Sequence, residues 1–382
     1  MKLWQTASCA AMLAAATIMS AQAEDGPIKV GTIFPLSGGA GPQGQHVTDA
    51  IKAMAAIIND NGGVLGRKLE VVSRDDQSTP AVGVSRANDL ISQGVSVIIE
   101  GWNSPVTLAE QPVISRAGIT DITAISKADP ILSGKGNPLP IRLNSSNAQD
   151  GAVIAKYIAD SGKKRIAFLT ENDAYGNGAQ ESIEAQLKKL NYDYKKVAEE
   201  KFPFKQADFR VSLANVKAAN PEITVAINAN EGLGLPALMR QAQQSRLPGT
   251  LVTAVGTVAP SVIKVAGPSA NGVIGADIYF PEIEPFKSNP ANQAFIKRMQ
   301  KMFKSTPDKF MALGAASLQV WAKAANGVKS LDKEKVAKKI RGGSFKDTVF
   351  GDVSFQPNGQ MNSSYYLFVV KDQKIVIQSG NK

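Results

Sequence analysis

Apolar runs typical of buried strands alternate with amphipathic helical segments along most of this sequence. Residues 28–34 (IKVGTIF) predict a buried strand, and residues 45–59 predict a helix, because their apolar side chains recur every three or four positions. Residues 68–74 then predict the next strand. Consecutive parallel strands need a crossover connection, which is usually a helix. The alternation therefore predicts a parallel sheet with helices packed on both faces.

The alternation occurs twice and then stops. A Pro-, Gly- and Ser-rich stretch at 129–140 separates a first set of strands and helices from a second set that extends to about residue 276. Two such sets predict two doubly wound α/β lobes. The remaining segments do not fit the pattern: three are helical (291–303, 309–325 and 333–340) and two are strand-like (365–370 and 374–377).

The first residues have the composition of an export signal. Lys2 precedes an uncharged, mostly apolar stretch, and Ala21-Gln22-Ala23 supplies small residues at a cleavage site. We expect residues 1–23 to be a signal peptide that is cleaved after Ala23. Cys9, the only cysteine of the sequence, lies inside this segment, so the mature chain is expected to fold without a disulfide.

Charge and hydropathy argue against nucleic-acid and membrane-embedded classes of protein. The sequence has 43 basic and 33 acidic side chains, with a formal net charge of +10. Its basic residues are dispersed, whereas a nucleic-acid-binding protein concentrates them on one element. No further apolar run in the sequence is long enough to cross a bilayer. We expect a soluble exported protein with no nucleic-acid partner.

The sequence contains little evidence for a catalytic, metal-binding or cofactor-binding motif. His46 is the only histidine, so a Ser-His-Asp triad would have to use it, and the sequence has no G-x-S-x-G elbow. No cluster of histidine, cysteine or acidic residues has metal-ligand spacing. Residues 39–44 formally match G-x-G-x-x-G, but Pro42 breaks the usual turn of a dinucleotide site. We expect no cofactor, and this loop is either a flexible connection or, with Ser37, part of a ligand cleft.

Two loops that follow predicted strands carry groups suited to a small anion. Residues 101–107 (GWNSPVT) place Trp102, Asn103 and Ser104 at the start of a helix, where hydroxyl and N–H groups bind carboxylates. The alternative is that Ser104 only caps this helix. Tyr175 lies at the equivalent point of the second set. Open α/β sheets bind their ligands at the carboxyl ends of strands, which is where both loops lie.

In their order and spacing these motifs resemble the leucine/isoleucine/valine-binding family, the type I periplasmic receptors of ABC importers. The resemblance covers nearly the whole mature sequence. Its markers are Pro35-x-Ser37-Gly38, Ile58-Asn59-x-x-Gly62-Gly63-x-x-Gly66, Asp76 with Pro80, Gly101 to Thr107, Pro112 with Ala117-Gly118-Ile119, and Asp173-x-Tyr175-Gly176-x-Gly178.

The resemblance implies an α/β fold of two Rossmann-like lobes joined by a hinge of three crossovers, with the ligand between the lobes. Lobe 1 would comprise residues 27–143 and 277–345, and lobe 2 residues 144–276 and 346–382. The crossovers would lie near residues 143–146, 275–281 and 344–350. It also implies a monomer in the periplasm whose partners are a small-molecule carboxylate ligand and an inner-membrane permease and ATPase complex.

The resemblance also implies roles for individual residues. Ser104 matches the residue that holds the ligand carboxylate, and Tyr175 matches the aromatic residue that closes over the ligand. Lys127 stands near the position of a usual threonine, and Glu231 could receive an α-ammonium because residues 255–256 offer no acid. The expected ligand-binding residues are Ser37, Gln43 (where an aromatic is usual), Trp102, Asn103, Ser104, Ile125, Lys127, Tyr175 and Glu231.

The expected function is binding of an amino acid or of an aromatic or aliphatic acid by closure of the lobes, without catalysis. A lysine gained at Lys127 and an acid lost at residues 255–256 favour a ligand without an amino group. Trp102 could stack on an aromatic ligand or could pack under its loop. Two alternatives remain at this point: a periplasmic sensor that signals to a partner, and an exported α/β hydrolase that uses Ser37 or His46.

Overall fold

The computed structural model describes residues 26–134 and 139–381, so the predicted export signal lies outside the described residues. Its first sheet is entirely parallel, with five strands in the order β2-β1-β3-β4-β5. The strands are β1 (Ile28–Phe34), β2 (Leu69–Asp75), β3 (Val97–Glu100), β4 (Thr120–Thr123) and β5 (Pro140–Arg142). The crossovers are α1 (Gly41–Asp60), α2 (Pro80–Ser92) and α3 (Ser104–Arg116).

The second sheet has seven strands in the order β14-β13-β10-β9-β8-β6-β7. Its parallel part consists of β6 (Arg165–Glu171), β7 (Lys195–Phe202), β8 (Ile223–Ile227), β9 (Thr250–Thr253) and β10 (Ile274–Asp277). The antiparallel strands β13 (Tyr365–Lys371) and β14 (Lys374–Asn381) extend it beyond β10. Its helices are α4 (Asn147–Ser161), α5 (Ala174–Lys189), α6 (Arg210–Ala218), α7 (Gly234–Gln244) and α8 (Pro260–Ala266).

The segment between β10 and β13 returns to the first sheet. It forms α9 (Pro290–Phe303), α10 (Lys309–Val328), α11 (Lys333–Ile340) and a separate two-stranded sheet of β11 (Ser344–Thr348) and β12 (Gly351–Ser354). Helices α9 and α10 pack against α1, and β11 packs against both of them. The approach of α10 to α1 is close, since a Cβ at Gly314 would lie 2.7 Å from Val47 Cγ1.

We call the first sheet with α1–α3, α9–α11 and β11–β12 the first lobe, and the second sheet with α4–α8 the second lobe. Every residue of β3 and of β8 is buried, as expected for central parallel strands covered on both faces. The predicted doubly wound α/β fold with two lobes is confirmed. None of the helices in the described ranges is long and apolar enough to span a membrane.

The chain crosses between the lobes after β5, after β10 and after β12. The first crossover uses the predicted residues and ends at a capping box, in which Gln149 N donates to Ser146 Oγ and Ser146 N donates to Gln149 Oε1. The third crossover spans residues 355–364, so its predicted position at 344–350 is wrong. Those residues instead begin the β11–β12 pair, which stays with the first lobe.

Candidate functional site

The carboxyl ends of strands from both sheets face each other across a small cavity of about 30 Å³. The first lobe contributes the loops after β3 and β4 and the start of α10, and the second lobe contributes the loops after β6, β8 and β9. The residues that line it are Trp102, Asn103, Ser104, Ile125, Ser126, Lys127, Glu171, Asp173, Tyr175, Ala229, Glu231, Val255, Gly256, Thr257, Lys309 and Phe310. Seven of the nine residues expected at the ligand site are among them.

Ser104 is the first residue of α3 and is 1% exposed. Its Oγ accepts hydrogen bonds from the backbone N–H groups of Lys127 and Ala128, both at 3.2 Å. Because the lone pairs are used in this way, the hydroxyl hydrogen remains for another acceptor. Asn103 occupies the N-cap position of α3, so the alternative that Ser104 is merely the cap is wrong. The arrangement places a donor at the positive end of a helix, which suits a carboxylate.

Trp102 lies beside this donor and is 6% exposed. Its ring packs on the ring of Phe310, which is in the first turn of α10, with centroids 4.9 Å apart and an interplanar angle of 48°. The face of the indole is therefore partly used within the first lobe. Trp102 both packs under the loop and lines the cavity.

Lys127 connects the two lobes. Its Nζ donates to Asp150 Oδ2 at 2.5 Å, in α4, and to the backbone oxygen of Val255 at 2.7 Å, in the loop after β9. The other carboxylate oxygen of Asp150 accepts from the Tyr365 hydroxyl at 3.2 Å. The ammonium of Lys127 is thus neutralised by the protein, which removes one reason for expecting a ligand without an amino group.

Lys309 is a cavity residue that sequence reasoning missed. It is 4% exposed, and its Nζ donates to the backbone oxygen of Gly256 at 2.8 Å. Asp277 Oδ1 lies 4.0 Å from the same nitrogen, and the Phe310 ring centroid is also 4.0 Å away. Burial lowers the pKa of Lys309, and the nearby Asp277 charge opposes that effect. The only signal in the sequence was a lysine at the start of an otherwise apolar helix.

Gly256 leaves room for this ammonium. Its φ is +75°, and a Cβ at this position would lie 2.0 Å from Lys309 Nζ. A side chain here would therefore collide with the lysine and would also strain the backbone. The sequence showed only that residues 255–256 offer no acid; in the structure, the missing side chain of Gly256 leaves space for Lys309 of the opposite lobe.

Glu231 presents a carboxyl group to the cavity from the loop after β8. It is 6% exposed, and its carboxyl accepts no hydrogen bond from any residue in the described part of the chain. Burial raises the pKa of Glu231 well above its usual range, although the positive charges of Lys309 and Lys127 oppose this. A carboxyl group that faces the cavity can exchange a hydrogen bond with a ligand held there.

Glu171 is a second carboxyl group on the same side. Its Oε2 accepts from the backbone N–H of Ala229 at 2.8 Å, while its Oε1 is buried without a partner among the described residues. Burial, with a smaller contribution from the charge of Asp173, raises the pKa of Glu171 to about 9. Tyr175, in the first turn of α5, lines the cavity between these acids, and burial raises the pKa of its hydroxyl.

Ser37 and Gln43 do not reach this cavity. Ser37 is exposed, and its hydroxyl donates to Asp75 Oδ2 at 2.7 Å, at the end of the neighbouring strand β2. Gln43 lines an adjoining larger cavity, as does His46. The glycine motif at 39–44 has a packing explanation, because α1 begins within it and a Cβ at Gly44 would lie 1.8 Å from the Pro35 oxygen.

The described residues contain no group of three or more histidine, cysteine or acidic side chains placed to hold a metal ion. The chemistry available in the cavity is recognition by hydrogen bonds: a hydroxyl donor at a helix N-terminus, two lysines bound to backbone oxygens, and two carboxyl groups, of which Glu171 has a buried oxygen without a partner among the described residues. This set fits a small ligand with a carboxylate at one end and a donor nearby.

Comparison with known proteins gives a family match and a set of similar sequences. Residues 27–374 match the family model for periplasmic binding protein. The chain is similar to the Leu/Ile/Val-binding protein of Citrobacter freundii, with 28% identity over 335 residues that cover 87% of this chain and 88% of the relative. It is also similar to the Leu/Ile/Val-binding protein of Escherichia coli (strain K12), with 27% identity over 342 residues and 89% of both chains covered.

Two solved structures illustrate the similarity in fold. One is a leucine-binding protein from Thermotoga maritima, with a TM-score of 0.81 and 23% identity over 92% of this chain and 98% of that chain. The other is the solute-binding protein of an ABC transporter from Rhodopseudomonas palustris in complex with 3,4-dihydroxybenzoic acid. Its TM-score is 0.82, and the 23% identity covers 93% of this chain and 97% of that chain.

Proposed function

The chain belongs to the periplasmic binding protein family, and we propose that it delivers a small carboxylate to an ABC importer of the branched-chain amino-acid type. The resemblance found in the sequence is thereby confirmed at the level of the family. Relatives with similar sequences over most of their length carry names for leucine, isoleucine and valine binding, which supports the class of importer.

The observation that carries the proposal is the position of Ser104. It is buried at the N-terminus of α3, and its oxygen is already saturated by two backbone N–H groups. The remaining hydroxyl hydrogen and the helix dipole together favour a carboxylate. Ser104 lines the cavity with Tyr175 and Glu231 of the second lobe, so a ligand held there would touch both lobes.

The proposed mechanism is closure of the lobes around the ligand. Lys127 of the first lobe binds Asp150 and the backbone of Val255 in the second, so these contacts exist only when the lobes are together. A ligand with contacts on both lobes shifts the population towards this form. The predicted lobe limits, residues 27–143 with 277–345 and residues 144–276 with 346–382, stay a prediction except at the third boundary, where β11 and β12 keep residues 344–354 with the first lobe.

The proposed ligand also donates a hydrogen bond close to its carboxylate, because Glu171 Oε1 is a buried acceptor without a partner among the described residues and the Glu231 carboxyl lines the same cavity. Amino acids and hydroxylated aromatic acids both meet this requirement. A relative named for branched-chain amino acids and a structural neighbour solved with 3,4-dihydroxybenzoic acid represent these two groups. With Lys127 bound to Asp150, the preference for ligands without an amino group loses its main support.

The proposal extends to an exported monomer, cleaved after Ala23, that catalyses no reaction. The alternative of a hydrolase that uses Ser37 or His46 has less support, because Ser37 is exposed and donates to Asp75, and neither residue lines the small cavity. Transport is distinguished from sensing by reconstitution with the cognate permease and ATPase, in which the loaded protein should stimulate ATP hydrolysis.

A thermal-shift screen of amino acids and of hydroxylated aromatic acids identifies the ligand, and calorimetry with Ser104→Ala then tests the site. Loss of a hydrogen bond to a charged group is worth about 1.5–3 kcal/mol, so affinity should fall about ten- to a hundredfold. The variant also leaves the N–H groups of Lys127 and Ala128 without an acceptor, so its free energy of unfolding should fall by about 1–3 kcal/mol.

Ser92→Ala is the matched control, because Ser92 is an exposed helical serine bonded only within its own turn. It should bind the ligand as the parent protein does. Binding by Ser104→Ala with parental affinity would show that the carboxylate is not held at α3, and the proposed site would then be wrong.

A further inference from the structure

A second, larger cavity of about 640 Å³ adjoins the first. One wall is formed by the start of α1 and by residues 305–311 of the first lobe, and the other by residues 258–261 and 279–283 with Ile375. Its walls are mainly apolar and include Val258, Ala259, Phe280, Pro281, Ile283 and Met311. The ligand contacts proposed above involve the small cavity and leave most of this larger cavity without a role.

Lys309 separates the two cavities. Its side chain lines both of them, and its Nζ is held against the backbone oxygen of Gly256 at 2.8 Å. This is a single hydrogen bond at the end of a flexible side chain, with the Asp277 carboxylate at 4.0 Å. The Lys309 side chain can therefore move away from Gly256 and still have the Asp277 carboxylate nearby. Such a movement would join the two cavities.

The small cavity cannot hold an organic ligand by itself. Its volume of about 30 Å³ leaves room for about two water molecules. A carboxylate that reaches Ser104 therefore has to bring the rest of its molecule into neighbouring space, and the space beyond Lys309 is the larger cavity. Apolar walls favour an apolar occupant, because water against them is displaced at a gain in free energy.

We propose that the apolar body of the ligand occupies this larger cavity after displacing Lys309 from Gly256, so that the protein selects carboxylates whose aryl or alkyl body exceeds a leucine side chain. This inference rests on the proposed function, since it needs the carboxylate to be held at Ser104. It adds the class of ligand: an elongated, amphipathic acid with its polar end at α3 and its body between α1 and α8.

The test is calorimetry with leucine and with the 2-hydroxy derivatives of butanoate, hexanoate and octanoate, named below by their parent acids, so that every probe carries a donor beside its carboxylate. Affinity should rise roughly fourfold for each methylene that enters the apolar cavity, so octanoate should bind on the order of a hundredfold more tightly than butanoate. Leucine should bind more weakly than octanoate. A flat series would overturn the inference.

Filling the cavity provides the second arm of the test. Ser261→Trp introduces a large side chain at an exposed position of α8 that lines the larger cavity, and Val211→Trp places the same side chain at an exposed position of α6, which does not line it. Octanoate should lose at least tenfold in affinity in Ser261→Trp and keep its affinity in Val211→Trp. Thr306→Trp, from the opposite wall, repeats the experiment if Ser261→Trp is poorly folded.

The outcomes separate the two proposals. If neither leucine nor any of the three acids binds, and the wider carboxylate screen also yields no ligand, the proposed function fails. If leucine or butanoate binds as tightly as octanoate, and Ser261→Trp and Thr306→Trp leave all affinities unchanged, then the ligand does not use the larger cavity. In that case the function stands and this inference is wrong.

Discussion

Lys127→Met tests the closed arrangement most directly. Lys127 Nζ and Asp150 Oδ2 are 2.5 Å apart, and the two side chains are 6% and 10% exposed. Methionine retains the volume of lysine without its charge. The variant would therefore leave the Asp150 carboxylate buried in the closed form with the Tyr365 hydroxyl as its remaining partner among the contacts described.

Removing one partner of a buried ion pair costs about 3–5 kcal/mol. Because Asp150 lies in α4 of the second lobe and Lys127 in the first, separation of the lobes returns both groups to water. The cost therefore falls on closure and not on the folding of either lobe. Ligand affinity should drop about 100- to 3000-fold, while the midpoint of urea unfolding should change little.

The compensating variant is Lys127→Met combined with Asp150→Asn. It removes both charges, and replacing a whole buried pair by neutral groups is often nearly neutral. We expect its affinity to return to within about tenfold of the parent protein, and we expect scattering with saturating ligand to show the same compaction. Calorimetry and small-angle scattering on the three proteins measure these quantities.

Equal weakness of the single and double variants would refute this reasoning, because it would mean that Lys127 contacts the ligand itself. Parental affinity of the single variant would refute it as well, since the ion pair would then contribute nothing to closure.

Two further predictions concern stability. Burial raises the pKa of four carboxyl groups behind α3, to about 7 for Asp76 and Glu100 and well above normal for Glu110 and Asp121. Because these groups bind protons more tightly in the folded state, their contribution to stability is greatest at acidic pH and falls as pH rises through about 7. Tm should therefore be higher at pH 5.5 than at pH 8. Glu110→Gln removes one of these groups and should reduce the difference in Tm between the two pH values. Gly256→Ala and Gly272→Ala should each lower the free energy of unfolding by about 1–2 kcal/mol, because both glycines have positive φ and the Lys309 Nζ that a Cβ at Gly256 would meet is the movable end of a flexible side chain. A much larger loss in Gly256→Ala, measured by urea unfolding, would show that this ammonium is fixed in place.

The residues of the candidate cavity were easiest to predict where one short motif contained them. Ser104 is the first residue of α3 and Tyr175 lies in the first turn of α5, each soon after a buried strand, and parallel topology places such positions at the carboxyl edge of their sheet. Lys309 was missed because its position depends on the return of α10 to the first lobe, which no local pattern reveals. The pairing of Lys127 with Asp150 was equally inaccessible, since it joins two lobes.

The structure departs from expectation where a neighbouring strand or a sheet edge intervenes. Ser37 was expected at the ligand site; its hydroxyl donates to Asp75 at the end of β2 and it does not line the small cavity, so its role in binding stays a prediction. Strand β7 was not predicted because it lies at the edge of the second sheet, where its lysine and glutamate side chains are mostly exposed and no apolar run is required. The third crossover was placed too early because β11 and β12 pair with each other.

The return of the chain to each lobe has a consequence for folding. The second sheet includes β13, which pairs with β10 although α9, α10 and α11 lie between them in the sequence. The first lobe includes α10, which packs on α1 near the start of the chain. Neither lobe can therefore finish folding before the C-terminal third is present. Such long-range pairing slows folding, and a chain truncated after α11 would expose the apolar edge of β10 to aggregation.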